Sequence, residues 1–252
     1  MENYNILFDS IFKRKSVRKY KSSKLTQEML EQINDFIKQI IPLYEEIKVD
    51  FVIVSDNELI SSHQNKAPHY IYAYSEEKHG SAENIGFLMQ QISLFLTSNG
   101  LGSCWLGSGS PKKEYKTQSG LEYQVMLSFG LPDEDVFRDN MKLFKRKTLE
   151  QITEIDNIVF LMEAVRLAPS AINTQPWHFS GTANNIIVSR KLPNPISGLV
   201  LNKVNKFDMG IALCHLWLSA LHFNKKINFE YNLSDEKRMP KSSEYTMSIH
   251  CD

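Results

Sequence analysis

The sequence predicts an α+β fold made of two pseudo-symmetric halves, each a set of strands packed by helices. Three observations predict it. The order helix, strand, helix, strand over residues 1–150 recurs over residues 151–252, as expected of a diverged internal duplication. Each half carries one long apolar helical stretch, Ala82–Asn99 and Phe207–Phe223. Short runs rich in β-branched and aromatic residues flank those stretches, as strands do. The expected division is therefore a first half at 1–150 and a second at 151–252, together one compact body.

The elements follow in order. Ile6–Phe12 is an apolar, helix-compatible start. Leu25–Ile40 reads as a helix capped by Thr26, with Met29, Leu30, Ile33, Phe36, Ile37 and Ile40 near helical period, and Pro42 ends it. Val49–Val54 and Tyr70–Tyr74 read as strands. In Ala82–Asn99, Ile85, Leu88, Met89, Ile92, Phe95 and Leu96 form one face, and Asn99-Gly100 stops the helix. Tyr123–Phe129 is a strand ended by Gly130-Leu131-Pro132. The second half restarts with a helix at Asp156–Leu167 and a strand at Asn185–Val188. After Phe207–Phe223 come the strands Ile227–Tyr231 and Tyr245–His250.

Composition excludes several classes. The chain has 252 residues, 42% apolar and 23% charged, with Lys+Arg and Asp+Glu both at 29. That balance does not suit a nucleic-acid binder relying on bulk electrostatics. Cys104, Cys214 and Cys251 are too far apart for a metal cluster or a Cys-x-x-Cys pair, and their odd number fits reduced thiols in the cytoplasm. His63, His69 and His79 lack metal-ligand spacing. Gly100-x-Gly102 follows a helix, not a strand, and is no dinucleotide fingerprint. The N-terminus lacks an apolar signal region, and the longest apolar run, Ile211–Phe223, is too short to span a bilayer. A soluble intracellular protein fits this pattern, with neither nucleic acid nor membrane as partner.

Three stretches carry chemistry. Ala168–Phe179 reads Ala-Pro-Ser-Ala-Ile-Asn-Thr-Gln-Pro-Trp-His-Phe. Two prolines stiffen it, and Ser170, Asn173, Thr174 and Gln175 offer donors and acceptors between them. By its residues alone it fits two descriptions: a ligand loop for a planar heterocycle, or a helix-to-strand turn plugged by Trp177. Lys13-Arg14-Lys15-Ser16-Val17-Arg18-Lys19-Tyr20 packs five cations and a hydroxyl into eight residues, suited to phosphate or to a solvated basic turn. Lys145-Arg146-Lys147 is a second basic cluster with the same two descriptions.

The loop resembles the Pro-Ser-x-x-Asn-x-Gln-Pro-Trp segment of the FMN-dependent nitroreductase family, and Arg14-x-Ser16-x-Arg18 is similar to that family's N-terminal Arg-x-Ser-x-Arg. The helix, the Gly100-Leu101-Gly102 turn and the strand after it look like the family's central helix and flavin-facing loop. Where family members often have Pro-x-Glu-Gly, this chain has Trp105-Leu106-Gly107-Ser108. The resemblance implies a nitroreductase-like fold of mostly antiparallel sheets packed by helices, its two halves mimicking a homodimer. It also implies a flavin site. Arg14, Lys15, Ser16 and Arg18 would hold the FMN phosphate side, with Arg146 assisting. Trp105, Leu106, Gly107 and Ser108 would lie along the ring. Pro169, Ser170, Ala171, Asn173 and Gln175 would meet its polar edge.

One part is displaced. Where the first half should carry the Pro-Ser-x-x-Asn-x-Gln-Pro-Trp loop it has only Ile41–Glu46, and the second half has the loop but no Arg-x-Ser-x-Arg. In the family each FMN is shared between two protomers. A fused pseudo-dimer with one surviving flavin site is expected, acting as a monomer with one FMN per chain. The implied function is an oxidoreductase passing reducing equivalents from NAD(P)H to nitroaromatic, quinone or similar acceptors. No catalytic side chain and no metal are implied, because the flavin carries the chemistry. The alternative is a flavin carrier or redox sensor without turnover.

Overall fold

The computed structural model describes residues 2–55, 66–107, 111, 115–135, 137–237, 239 and 242–252. His63 and Ser108, singled out in the sequence, lie outside the described residues. In chain order the elements are α1 (Glu2–Ile11), α2 (Gln27–Ile37), β1 (Val49–Ser55), β2 (His69–Ser75), α3 (Ser81–Ser98), β3 (Gly102–Leu106), β4 (Thr117–Gln118) and β5 (Leu121–Gly130). They continue with α4 (Val159–Arg166), β6 (Trp177–Gly181), β7 (Asn185–Lys191), α5 (Pro195–His222), β8 (Ile227–Glu230), α6 (Leu233–Glu236) and β9 (Ser243–Cys251).

The architecture is α+β, with two antiparallel sheets packed by helices. One sheet has strand order β1-β2-β5-β3, with β4 attached to β5; the other has order β6-β7-β9-β8. Leaving β4 aside, both run first, second, fourth, third. The likeness reaches the register. A bulge in the β2–β5 ladder skips Gln124, and one in the β7–β9 ladder skips Thr246. Two residues past the bulge, Met126 faces Leu106 and Ser248 faces Glu230.

The helix ends match as well. Leu101 N–H donates to Leu96 O at 2.8 Å, and Lys225 N–H to Ala220 O at 2.8 Å. Gly100 (φ 71°) and Asn224 (φ 54°) make the left-handed turn before each strand. Bulges and caps are placed by local backbone chemistry and rarely coincide without common descent. The chain is two duplicated halves.

Burial explains the sequence pattern. Every residue of β2 is buried because the strand is central in its sheet, while edge strand β1 is half-buried. α3 is buried around most of its circumference, so its apolar face is wider than one stripe. One core cluster is aromatic, with Tyr70, Tyr72 and Tyr74 of β2 grouped with Leu106 and Met126. The three cysteines are buried and free. No helix among the described residues is long and apolar enough to cross a membrane.

By compactness the chain groups into residues 13–140, here the N-proximal unit, and residues 1–12 with 141–252, the C-terminal unit. This grouping differs from a cut at 150 in two places. α1 goes with α5, where Phe8 stacks on His222 (centroids 4.0 Å apart) and Tyr4 meets Trp217 edge-on at 5.0 Å. Residues 141–150 go with the second sheet, because their polar groups bind the loop ahead of β6, described below.

Some boundaries moved. α2 stops at Ile37, short of the expected Ile40, with Lys38 as its C-cap. Thr26 caps it as expected, accepting from Met29 N–H at 3.3 Å. α5 starts at Pro195, well before Phe207, since proline suits a first helical turn. Strand β6 begins directly after Pro176, inside the stretch that reads as loop.

Segment 13–20 lies along β3. Val17 N–H donates to Ser103 O at 2.9 Å, and Ser16 bridges Ser103 in parallel. Gly102 permits that approach, because a Cβ there would sit 2.7 Å from Val17 Cβ. Gly102→Ala is expected to destabilise the fold by about 1–3 kcal/mol through overpacking. Gly100→Ala meets nothing within 4 Å and carries only the strain of its φ of 71°, about 1 kcal/mol. Urea unfolding of both variants checks this, and a Gly102 variant no worse than the Gly100 variant contradicts the close packing.

Candidate functional site

The C-terminal unit holds the loop. α4 ends at Arg166, Pro169 takes the chain out of the helix, and a single 3₁₀ turn at Ala171–Asn173 leads to β6. Three non-glycine residues there have positive φ: Ile172 (43°), Asn173 (61°) and Gln175 (47°). Such conformations are costly for residues with a Cβ, most of all for β-branched Ile172, and persist only when neighbours impose them.

The neighbours are on both sides. Within the loop, Ser170 Oγ accepts Gln175 N–H at 2.8 Å. From the basic cluster, Arg146 Nη1 donates to Asn173 Oδ1 at 2.8 Å and Arg146 Nη2 to Leu167 O at 3.3 Å. Asn173 Nδ2 returns a bond to Lys145 O at 3.0 Å. Lys147 N–H donates to Gln175 Oε1, and Lys147 Nζ to Gln175 O, both at 2.8 Å. From α5, Asp208 accepts Ala171 N–H. Burial, and then nearby Lys191, lower the Lys147 ammonium from its ordinary value.

The two amides expected at a ligand's polar edge are thus held in different ways. Asn173 is exposed while bonded to 145–146, and Gln175 is buried beneath 147. Arg146, expected near a phosphate, donates to Asn173 Oδ1, Leu167 O and Lys145 O. Trp177 is fully buried, and so plugs the start of β6. Of the two descriptions its residues allow, the plugged turn is seen in the burial of Trp177.

The N-proximal unit holds the other group. Arg14, Ser16 and Arg18 alternate along the extended segment and share one side of it. Arg14 is buried, its Nη2 3.4 Å from Ser16 Oγ, and Arg18 is exposed. Arg138 pins the segment, donating N–H to Lys13 O at 2.9 Å and its side chain to Arg14 O. Tyr20 OH donates to Val17 O at 2.6 Å. Lys15 points to solvent. Trp105 and Leu106 close β3, with Gly107 exposed after them. Trp105 Nε1 is buried and has no acceptor among the described residues. No metal-binding group of His, Cys, Asp or Glu occurs among the described residues.

Asp208 is the residue that sequence reasoning missed; in the sequence it merely interrupts an apolar run. Burial pushes its carboxyl up to about 8, against Ala171 N–H and the charge of Arg190, which favour the carboxylate. Arg190 is itself paired with Glu244, which also meets Lys206. A carboxyl raised on folding lends stability that is complete below its unfolded pKa, about 4, and lost as pH rises through the folded value. Relative to Asp208→Asn, the wild type should therefore lose on the order of a few kcal/mol between pH 4 and 8. Urea unfolding at pH 5 and pH 8.5 checks this, and parallel pH trends in the two proteins contradict it.

With this geometry in hand, comparison with known proteins is informative. A family model described as "Putative TM nitroreductase" matches residues 6–220. A crystal structure from Thermotoga maritima, described as "a putative nitroreductase", is similar over 97% of this chain and 92% of its own, at 26% identity and TM-score 0.64. A nitroreductase family protein from Clostridium difficile matches 58% of this chain and 94% of its own, at 19% identity and TM-score 0.48. An FMN-dependent nitroreductase from the same organism matches 53% and 91%, at 23% identity and TM-score 0.45. No curated protein matches. The family match over residues 6–220 shows that the chain belongs to this TM-type nitroreductase family.

Proposed function

We propose that the protein is an FMN-dependent oxidoreductase that uses NAD(P)H to reduce nitroaromatic, quinone or similar small acceptors. The observation that carries this reading is the division of labour between the halves. By register, Lys48 and Pro176 are counterparts: Lys48 O accepts Glu76 N–H at 3.1 Å, and Pro176 O accepts Lys191 N–H at 2.8 Å. The Pro169–Trp177 loop therefore corresponds to Ile41–Val49, which lacks every polar residue of the motif. The arginine-serine segment occurs only in the other half. Each half has kept what the other has lost.

The residues present suit FMN. Arg14, Ser16 and Arg18 suit its phosphate, as forked and hydroxyl donors on one side of a pinned strand. The orphaned indole N–H of Trp105 and the exposed amide of Asn173 suit the polar atoms of the ring. Lys15, Leu106, Gly107, Ser108, Pro169, Ser170, Ala171 and Gln175 complete the proposed set, and Arg146 acts by fixing Asn173. When bound, FMN supplies the two-electron chemistry, and the protein supplies binding and orientation. No side chain is assigned a proton-transfer role. A single cytoplasmic chain suffices, without nucleic acid or membrane.

Steady-state oxidation of NADH and NADPH with nitrofurazone or menadione tests the activity. Turnover by flavin-loaded protein is expected, and its absence would favour the carrier or sensor. Arg18→Ala and Asn173→Ala are each expected to weaken FMN binding by about tenfold, the loss of one or two charged or polar hydrogen bonds. Unchanged affinity in both would remove the assignment.

A further inference from the structure

The conformation of the Pro169–Trp177 loop is imposed on it, since Ile172, Asn173 and Gln175 all have positive φ. Part of the imposing structure comes from α5. Asp208 is 3% exposed, and its two carboxyl oxygens lie 3.1 and 3.2 Å from Ala171 N. One helical turn earlier, Asn205 is 2% exposed, with Oδ1 3.4 Å from Thr174 Oγ1. Residues three apart share a helix face. That face of a core helix is therefore polar where the loop crosses it.

The other half has the same device. Asn84 of α3 is fully buried, and its Oδ1 accepts Leu43 N–H at 2.8 Å and Tyr44 N–H at 3.1 Å. Leu43 corresponds to Ala171 in the register set by Lys48 and Pro176, and Asn84 corresponds to Asp208 in the register set by the helix ends. A buried acceptor on the central helix thus ties the incoming loop in both halves. In the N-proximal unit it ties a segment in which no residue has positive φ, among those described. In the C-terminal unit it ties the strained segment that carries Asn173.

We infer that Asp208 is a positioning residue of the flavin site, which through Ala171 N–H holds Ser170–Gln175 in the conformation that presents Asn173 to the ligand. It touches no reacting atom. For its ligand this inference rests on the flavin reading; for its effect on the loop it rests on geometry alone. The Asn84 counterpart adds a requirement: an amide oxygen at position 208 should do the same work, whereas a side chain of similar size without an acceptor should not.

The full chain as wild type, Asp208→Asn and Asp208→Leu tests this, with two readouts on protein shown to be folded by circular dichroism. The first is hydrogen exchange across residues 168–177 without flavin; the second is the FMN dissociation constant by fluorescence titration. Asp208→Leu, which fills the space and removes the acceptor, should speed exchange at Ala171 at least tenfold and weaken FMN binding at least tenfold. Asp208→Asn should stay within about threefold of wild type in both. A lowered melting temperature in Asp208→Leu with unchanged exchange and affinity overturns the inference, as does an Asn variant as impaired as the Leu variant. Should wild type bind no FMN, the flavin reading fails, and the exchange comparison still decides whether Asp208 sets the loop.

Discussion

The backbone of Ser170–Gln175 is the constraint on which the candidate site depends. Three of its residues occupy a region of φ that side chains disfavour. Strain of that kind persists only where several bonds act together, and here they come from three sources: Ser170 inside the loop, residues 145–147, and Asp208 of α5. Glycines would relax the loop and leave Asn173 unfixed. With Ile172 and Asn173 in place, the conformation is dictated by partners, so those partners share in whatever the loop does.

That constraint also accounts for how the chain is divided. Residues 141–150 follow the first sheet in sequence, yet they group with the second, since Arg146 and Lys147 find their acceptors on Asn173 and Gln175. α1 shows the same crossing, grouping with α5 through Phe8 and His222. The shared strand order, bulges and helix caps are what remains of the repeat after the side chains diverged.

Much of this was legible in the sequence, and what was not has physical causes. The apolar period of α3, the β-branched run of β1 and the apolar stretch Val125–Leu127 of β5 mark themselves, since burial selects those residues. The loop and the arginine-serine segment stand out because few other local patterns place prolines, amides and forked cations at those spacings. β6 was hidden because its five residues follow Pro176 directly and include His178 and Ser180, which dilute the apolar alternation. The first three turns of α5 were hidden by Asn202, Lys203 and Asn205, polar residues that give no apolar stripe. Asp208 was hidden for a different reason: a single carboxylate in an apolar run reads as an interruption, and only the position of Ala171 N–H shows what it serves.

The central proposal is that the chain, with one arginine-serine segment and one Pro169–Trp177 loop, binds one FMN. It is tested most directly by the visible spectrum of the purified, FMN-saturated protein, with flavin released and counted against chain concentration. One FMN per chain is the predicted result. Two per chain would mean that Ile41–Val49 serves as well as the Pro169–Trp177 loop, and none would mean that neither basic segment nor loop binds the cofactor; either contradicts the claim.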